Sequence, residues 1–138
     1  MQVAIDGPAS SGKSTISKLI AQETNFLYLD TGAMYRATTL AFLRNNIAVV
    51  DNEAIKDLLE NLVISFKNSD DGQLVFLNGD DVTREIRNLE VTRNVSAVSA
   101  IKAVRKKLVE MQRKIANNHS IIMDGRDIGT VVLPNAEL

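Results

Sequence analysis

The stretch GPASSGKST runs from Gly7 to Thr15, directly after the apolar run Val3-Ala4-Ile5 and before Ile16-Ser17-Lys18-Leu19-Ile20. Within it, Gly7-x-x-x-x-Gly12-Lys13-Ser14 fits the phosphate-binding loop pattern. The chemistry explains the residue types. Glycines let the backbone wrap closely around an anion with its N–H groups pointing inward. A helix starting near Gly12, with Ile16, Leu19 and Ile20 facing inward, adds its positive N-terminal end. Lys13 can place a compact charge on the β- and γ-phosphates of a nucleotide, and the Ser14 hydroxyl can ligate Mg²⁺. This loop follows a short apolar strand, which is the context that the pattern requires.

Working outward, the 138 residues suffice for one domain with one core. Hydrophobic residues make up 45% and charged residues 24%, as in ordinary globular chains. A formal net charge of −1 and an aromatic content of 4% argue against a nucleic-acid binder, which needs basic excess and stacking residues. There is no cysteine, so disulfides and thiolate metal sites are excluded. No apolar run approaches the roughly 20 residues of a membrane span, and no secretory signal opens the chain. A cytoplasmic location is the expectation.

Phe26-Leu27-Tyr28-Leu29 reads as a second strand, ended by Asp30-Thr31-Gly32, and a buried helix is expected from Ala33 to Leu43. Asp51 can cap another helix with a stripe of Ile55, Leu58, Leu59 and Leu62. The period then changes. VISFKNSDDGQLVFLNGDDVT holds two β-type runs around Asn68-Ser69-Asp70-Asp71-Gly72, then a tight Asn78-Gly79 turn with Val82 in a third short strand. Helical sequence follows from about Thr83 to Asn117, with a stripe of Ile101, Val104, Leu108, Met111 and Ile115, before SIIMDG supplies another buried strand. Strands alternating with helices imply an α/β fold with a parallel sheet. The expected organisation is a core over residues 1–62, an antiparallel insert over 63–83 continuing into helices to about 117, and a return to the core within 84–138.

Three segments together resemble the bacterial cytidylate kinases, which are P-loop nucleoside monophosphate kinases: IDGPASSGKST, LYLDTGAMYRA and DGRDIGTVVLP. GDDVTREIR is similar to the family's connection out of its insert. The resemblance covers essentially the whole chain. It implies a P-loop NTPase-type parallel sheet with flanking helices, and transfer of the γ-phosphoryl of ATP to CMP or dCMP. Gly7, Pro8, Ala9, Ser10, Ser11, Gly12, Lys13, Ser14 and Thr15 would cradle the ATP phosphates. Ser14 and, through a water, Asp124 would hold Mg²⁺. Lys13 and Arg126 are the expected catalytic cations.

On the acceptor side, Arg36 and Arg126 match the family arginines, and a guanidinium fork suits a phosphate because it bonds two oxygens at once. Tyr35 is expected to line the nucleotide pocket, and Thr31 stands where the family often has serine. Asp127 matches the residue that would accept a hydrogen bond from the cytosine N4 amine and repel uracil O4. Ser96 and Arg105 match the other base-contacting positions. Nine residues on a straight helix turn a side chain by about 180°. Both can reach one base only if the helix breaks, and the break is expected near Ser99 to Lys102. His119, the single histidine, reads as a loop residue, and Lys106 and Lys107 as a solvated helix face.

The family continues beyond the stretch matched by LPNAEL into a fourth core strand, an arginine-rich lid, a loop over adenine and a fifth strand, whereas this chain stops at Leu138. A sheet ending at the first strand would have an open edge that invites pairing, so either the chain is a fragment or dimerisation covers that edge, and the fragment is the favoured reading. Without the lid arginines the chain is expected to bind nucleotide weakly and to be weakly active or inactive, with a loss in rate on the order of a thousandfold or more. The full-length parent is expected to be a monomer. Two other functions share parts of this pattern: a kinase acting on UMP or AMP, and a P-loop module that binds nucleotide without transferring phosphate.

Overall fold

The computed structural model describes residues 2–6, 26–48, 52–69 and 72–125. They form two compact units, Met1–Gly32 with Val109–Leu138, and Ala33–Leu108. Elements are numbered in chain order among the described residues. No helix among them is long and apolar enough to cross a membrane.

The first unit is built on three strands, β1 (Gln2–Asp6), β2 (Leu27–Asp30) and β6 (Ile121–Gly125), in the order β1-β6-β2 and all parallel. Ile121, Ile122 and Met123 of the middle strand are each 0% exposed. A parallel strand covered on both faces reads as an unbroken apolar run, and β6 does so. Val3, Tyr28 and Ile122 form a buried cluster from all three strands, with Phe26 packed against it. The register aligns the carboxyl ends: Ile5 of β1 and Asp30 of β2 both stand opposite Asp124 of β6. Adjacent strands lie about 4.8 Å apart. The points where the chain leaves β1 for Gly7, β2 for Thr31 and β6 for Arg126 are therefore neighbours along one sheet edge.

The second strand gives way to a helix earlier than expected. Thr31 and Gly32 do not form a loop; they open α1, which spans Thr31–Arg44. A Cβ at Gly32 would come within 3.1 Å of the Asp30 carboxylate oxygen, a tight contact that a side chain there would relieve only by moving the carboxylate. Helix α1 is buried on several sides through Met34, Ala37, Thr38, Thr39, Leu40, Ala41 and Phe42. Its two buried threonines donate their hydroxyls to their own helix, Thr38 to the Met34 carbonyl and Thr39 to the Tyr35 carbonyl. Asn46, at φ 52°, ends α1: its N–H donates to the Leu43 carbonyl, and the Ile47 N–H donates to the Phe42 carbonyl. That is the Schellman pattern, and asparagine tolerates its left-handed position.

In the second unit α2 (Asn52–Glu60) buries Ile55 and Leu59, with Leu62 just beyond it, while the Asp51 cap expected for this helix lies outside the described residues. Strands β3 (Ile64–Ser69), β4 (Gly72–Leu77) and β5 (Asp80–Asp81) form the antiparallel insert. Ser69 pairs with Gly72, so Asn68 and Ser69 belong to the strand and not to the connection. Asn78 and Gly79, at φ 50° and 86°, make the tight turn that the dipeptide predicts. Val82 follows the third strand instead of lying in it, and its N–H donates to the Val75 carbonyl.

A 3₁₀ helix (Glu85–Arg87) leads into α3 (Leu89–Ser99) and α4 (Lys102–Asn118). The helix breaks at Ala100-Ile101, where the spacing argument required it. Buried side chains stand on both sides of the break. On one continuous helix the six residues from Val98 to Val104 turn a side chain by about 240°. With the break, both are buried, as are Val91 on α3 and Leu108 on α4. Along α4 the buried line drifts from the expected heptad stripe. Val104 and Leu108 hold, Met111 and Ile115 are half-buried, and Gln112 and Ala116 take the buried positions. Steps of four residues advance by about 40° each around a straight helix, so the buried line winds around α4 instead of keeping to one face.

Candidate active site

The nominated residues divide between the two units. In the first, the loop residues Gly7 to Thr15, and Arg126 and Asp127 after β6, lie outside the described residues. What the structure gives is the backbone that carries them: the carboxyl edge of a parallel sheet, where ligands of such folds bind. Asp124 is the fourth residue of the middle strand at that edge. Thr31, only 5% exposed, opens α1 directly after β2.

In the second unit, Tyr35 and Arg36 stand on α1, Ser96 on α3 and Arg105 on α4. Arg36 is half-buried, and its Nη1 donates to the Ile86 carbonyl and to Thr92 Oγ1, each at 3.1 Å. Among the described residues, the cation beside apolar residues is thus met by neutral acceptors. Ser96 is exposed and lies four residues after Thr92, on the same face of α3. Arg105 is also exposed, and its positive charge acts on the Tyr35 phenol.

Two influences oppose each other at Tyr35. Burial raises its pKa above the ordinary 10.0, and the Arg105 charge lowers it by a smaller amount. The phenol therefore stays protonated at neutral pH and can donate a hydrogen bond. The stability that burial of the neutral phenol lends is complete below pH 10.0 and is lost as pH rises through the higher folded value. Replacing Arg105 removes the lowering charge, so Arg105→Met is expected to push the Tyr35 titration higher still. Carbon-13 NMR of the two tyrosine rings across alkaline pH reads this directly. An unmoved Tyr35 curve would place Arg105 too far from the phenol to act on it.

Sequence reasoning missed several residues. Thr92 and the Ile86 carbonyl hold Arg36, but a single threonine on a helix face gives no advance signal of that. Arg44, at the end of α1, pairs with Asp80 at 2.8 Å and with Glu85 at 2.9 Å, tying α1 to the insert and the 3₁₀ helix. These pairs are partly exposed, so each adds at most about 1 kcal/mol. Asp81 accepts both the Thr83 hydroxyl and the Thr83 N–H, which holds its carboxyl below the usual 3.8. An open cavity of about 440 Å³ between α1 and α2, lined by Ala41, Asn45, Leu58 and Asn78 among others, contains none of the nominated residues.

Residues 3–138 match the family model described as cytidylate kinase. The chain belongs to the cytidylate kinase family. It is 55% identical over 138 residues to a protein of Lactobacillus johnsonii named cytidylate kinase, covering 100% of this chain and 60% of that one. A cytidylate kinase of Leuconostoc mesenteroides is 60% identical over 137 residues, and one of Streptococcus sanguinis 59% identical over 139. These matches cover 99% and 100% of this chain, and 61% and 62% of the relatives. The chain thus spans about 60% of the length of the curated relatives it matches. Membership fits the architecture: a parallel sheet with its loop pattern after the first strand, and a small antiparallel insert between α2 and the 3₁₀ helix.

Proposed function

We propose that the protein transfers the γ-phosphoryl group of ATP to CMP or dCMP, giving ADP and CDP or dCDP. The observation that carries this reading is the family match over residues 3–138, with relatives named cytidylate kinase. The sheet edge supports it, because it sets the starts of the three family motifs on neighbouring strands.

In-line phosphoryl transfer asks little covalent work of a protein; positioning and charge neutralisation provide the catalysis. The backbone N–H groups of Gly7 to Thr15 bind the donor phosphates, and Lys13 and Arg126 balance charge as it moves toward the leaving oxygen. The hydroxyl of Ser14 and the carboxylate of Asp124 are oxygen donors of the kind that Mg²⁺ takes, directly or through water. When bound, the ion neutralises the donor phosphates. Arg36 and Arg126 hold the acceptor phosphate. Tyr35, Ser96 and Arg105 border the nucleoside, and Thr31 places its hydroxyl near the nucleotide. Asp127 accepts from the cytosine amine. The core, the insert with its following helices, and the return to the core divide these tasks in chain order.

The test is calorimetric titration of the chain with CMP, dCMP, UMP and AMP. CMP and dCMP are expected to bind about tenfold or more tightly than UMP, since a carboxylate facing O4 loses its bond and meets a like charge. Equal binding of UMP would remove the cytosine assignment. Preference for AMP would move the protein to a different acceptor class.

A further inference from the structure

We infer that Thr92 is a positioning residue for Arg36 and thereby sets affinity for the acceptor phosphate; this rests on the reading of Arg36 as a ligand of that phosphate. The geometry is a short chain of hydrogen bonds at the start of α3. Asn88 caps the helix, its Oδ1 accepting from the Val91 N–H at 2.8 Å. The Thr92 hydroxyl donates to the Asn88 carbonyl at 3.0 Å. A hydroxyl has one hydrogen and two lone pairs. With its hydrogen committed to Asn88, Thr92 offers only lone pairs to what approaches from α1. A guanidinium, which only donates, is the partner that this arrangement suits, and Arg36 Nη1 takes it at 3.1 Å.

The Ile86 carbonyl, also at 3.1 Å, is a second acceptor for the same nitrogen. One end of the guanidinium is therefore pinned from both sides of Asn88. Among the described residues its Nε and Nη2 make no hydrogen bond. Those two nitrogens form the fork edge that binds two phosphate oxygens at once. Fixing Nη1 removes rotational freedom from a long side chain before the phosphate arrives, so less ordering remains to oppose binding.

Thr92→Val keeps the side-chain shape and removes the acceptor; Thr92→Ser keeps the acceptor. Calorimetry with CMP and with cytidine, which lacks the phosphate, separates positioning from a general loss of structure. Thr92→Val is expected to weaken CMP binding by roughly fivefold to tenfold. Thr92→Ser should stay within about twofold, cytidine binding should not change, and in an Arg36→Met background Thr92→Val should cause no further loss. The assignment is overturned if Thr92→Val binds CMP as the parent does. It is equally overturned if serine fails to rescue, or if cytidine weakens in parallel. A parent chain that binds CMP no better than cytidine would instead remove the phosphate role of Arg36, and the proposed function with it.

Discussion

Arg36→Met is expected to weaken CMP binding about a hundredfold while the chain keeps its fold. The size follows from what is lost. A guanidinium makes charge-assisted, paired hydrogen bonds to phosphate, and two such bonds together account for roughly a hundredfold in affinity. Methionine keeps much of the apolar stem and none of the donors. The substitution also frees the Ile86 carbonyl and the Thr92 hydroxyl, but water can serve both because Arg36 is only half-buried. Calorimetry measures the affinity, and circular dichroism checks that the helices persist. Arg36→Lys should fall between parent and methionine, since it restores charge without the planar fork. If Arg36→Met bound CMP as tightly as the parent, Arg36 would be a structural tether between α1 and the start of α3 and nothing more.

The sequence was most legible where one requirement acts alone. The apolar run Ile121-Ile122-Met123 could only be a covered strand, and the Asn78-Gly79 dipeptide could only turn. The break between Ser96 and Arg105 was legible for a different reason: two side chains assigned to one base cannot leave opposite faces of a straight helix. In the structure Val98 and Val104, on either side of that break, are both buried. Legibility failed where two local signals compete. Asp30-Thr31-Gly32 looks like a loop, because glycine and aspartate favour turns. The helix nevertheless starts at Thr31, with Gly32 inside its first turn, where the missing Cβ leaves room beside the Asp30 carboxylate. The heptad stripe misled in a similar way, as the apolar residues Met111 and Ile115 gave up full burial to Gln112 and Ala116. On the site, spacing could nominate Arg36 but not its holders. Ile86 contributes a backbone carbonyl, which carries no residue signature, and Thr92 is an exposed threonine like many others.

Ile122→Ala is expected to lower stability by about 3 to 4 kcal/mol, a large share of the 5 to 15 kcal/mol typical of a folded domain. Ile122 is 0% exposed, sits in the middle strand of the parallel sheet, and joins Val3 and Tyr28 in one cluster. Truncation removes three carbons from a site enclosed by strands on both sides. Strands in a hydrogen-bonded register cannot close in to refill the space as a loop could. Ile122→Val, which removes one methyl group, should lose only about 1 kcal/mol. Urea unfolding compares the three proteins, with the midpoint falling in the order parent, valine, alanine and the slope unchanged. The consequence reaches the site, because the same strand carries Asp124 to the sheet edge opposite Ile5 and Asp30. An alanine variant no less stable than the valine variant would mean that this strand is not closely packed. A loosely packed strand could not hold that edge in register.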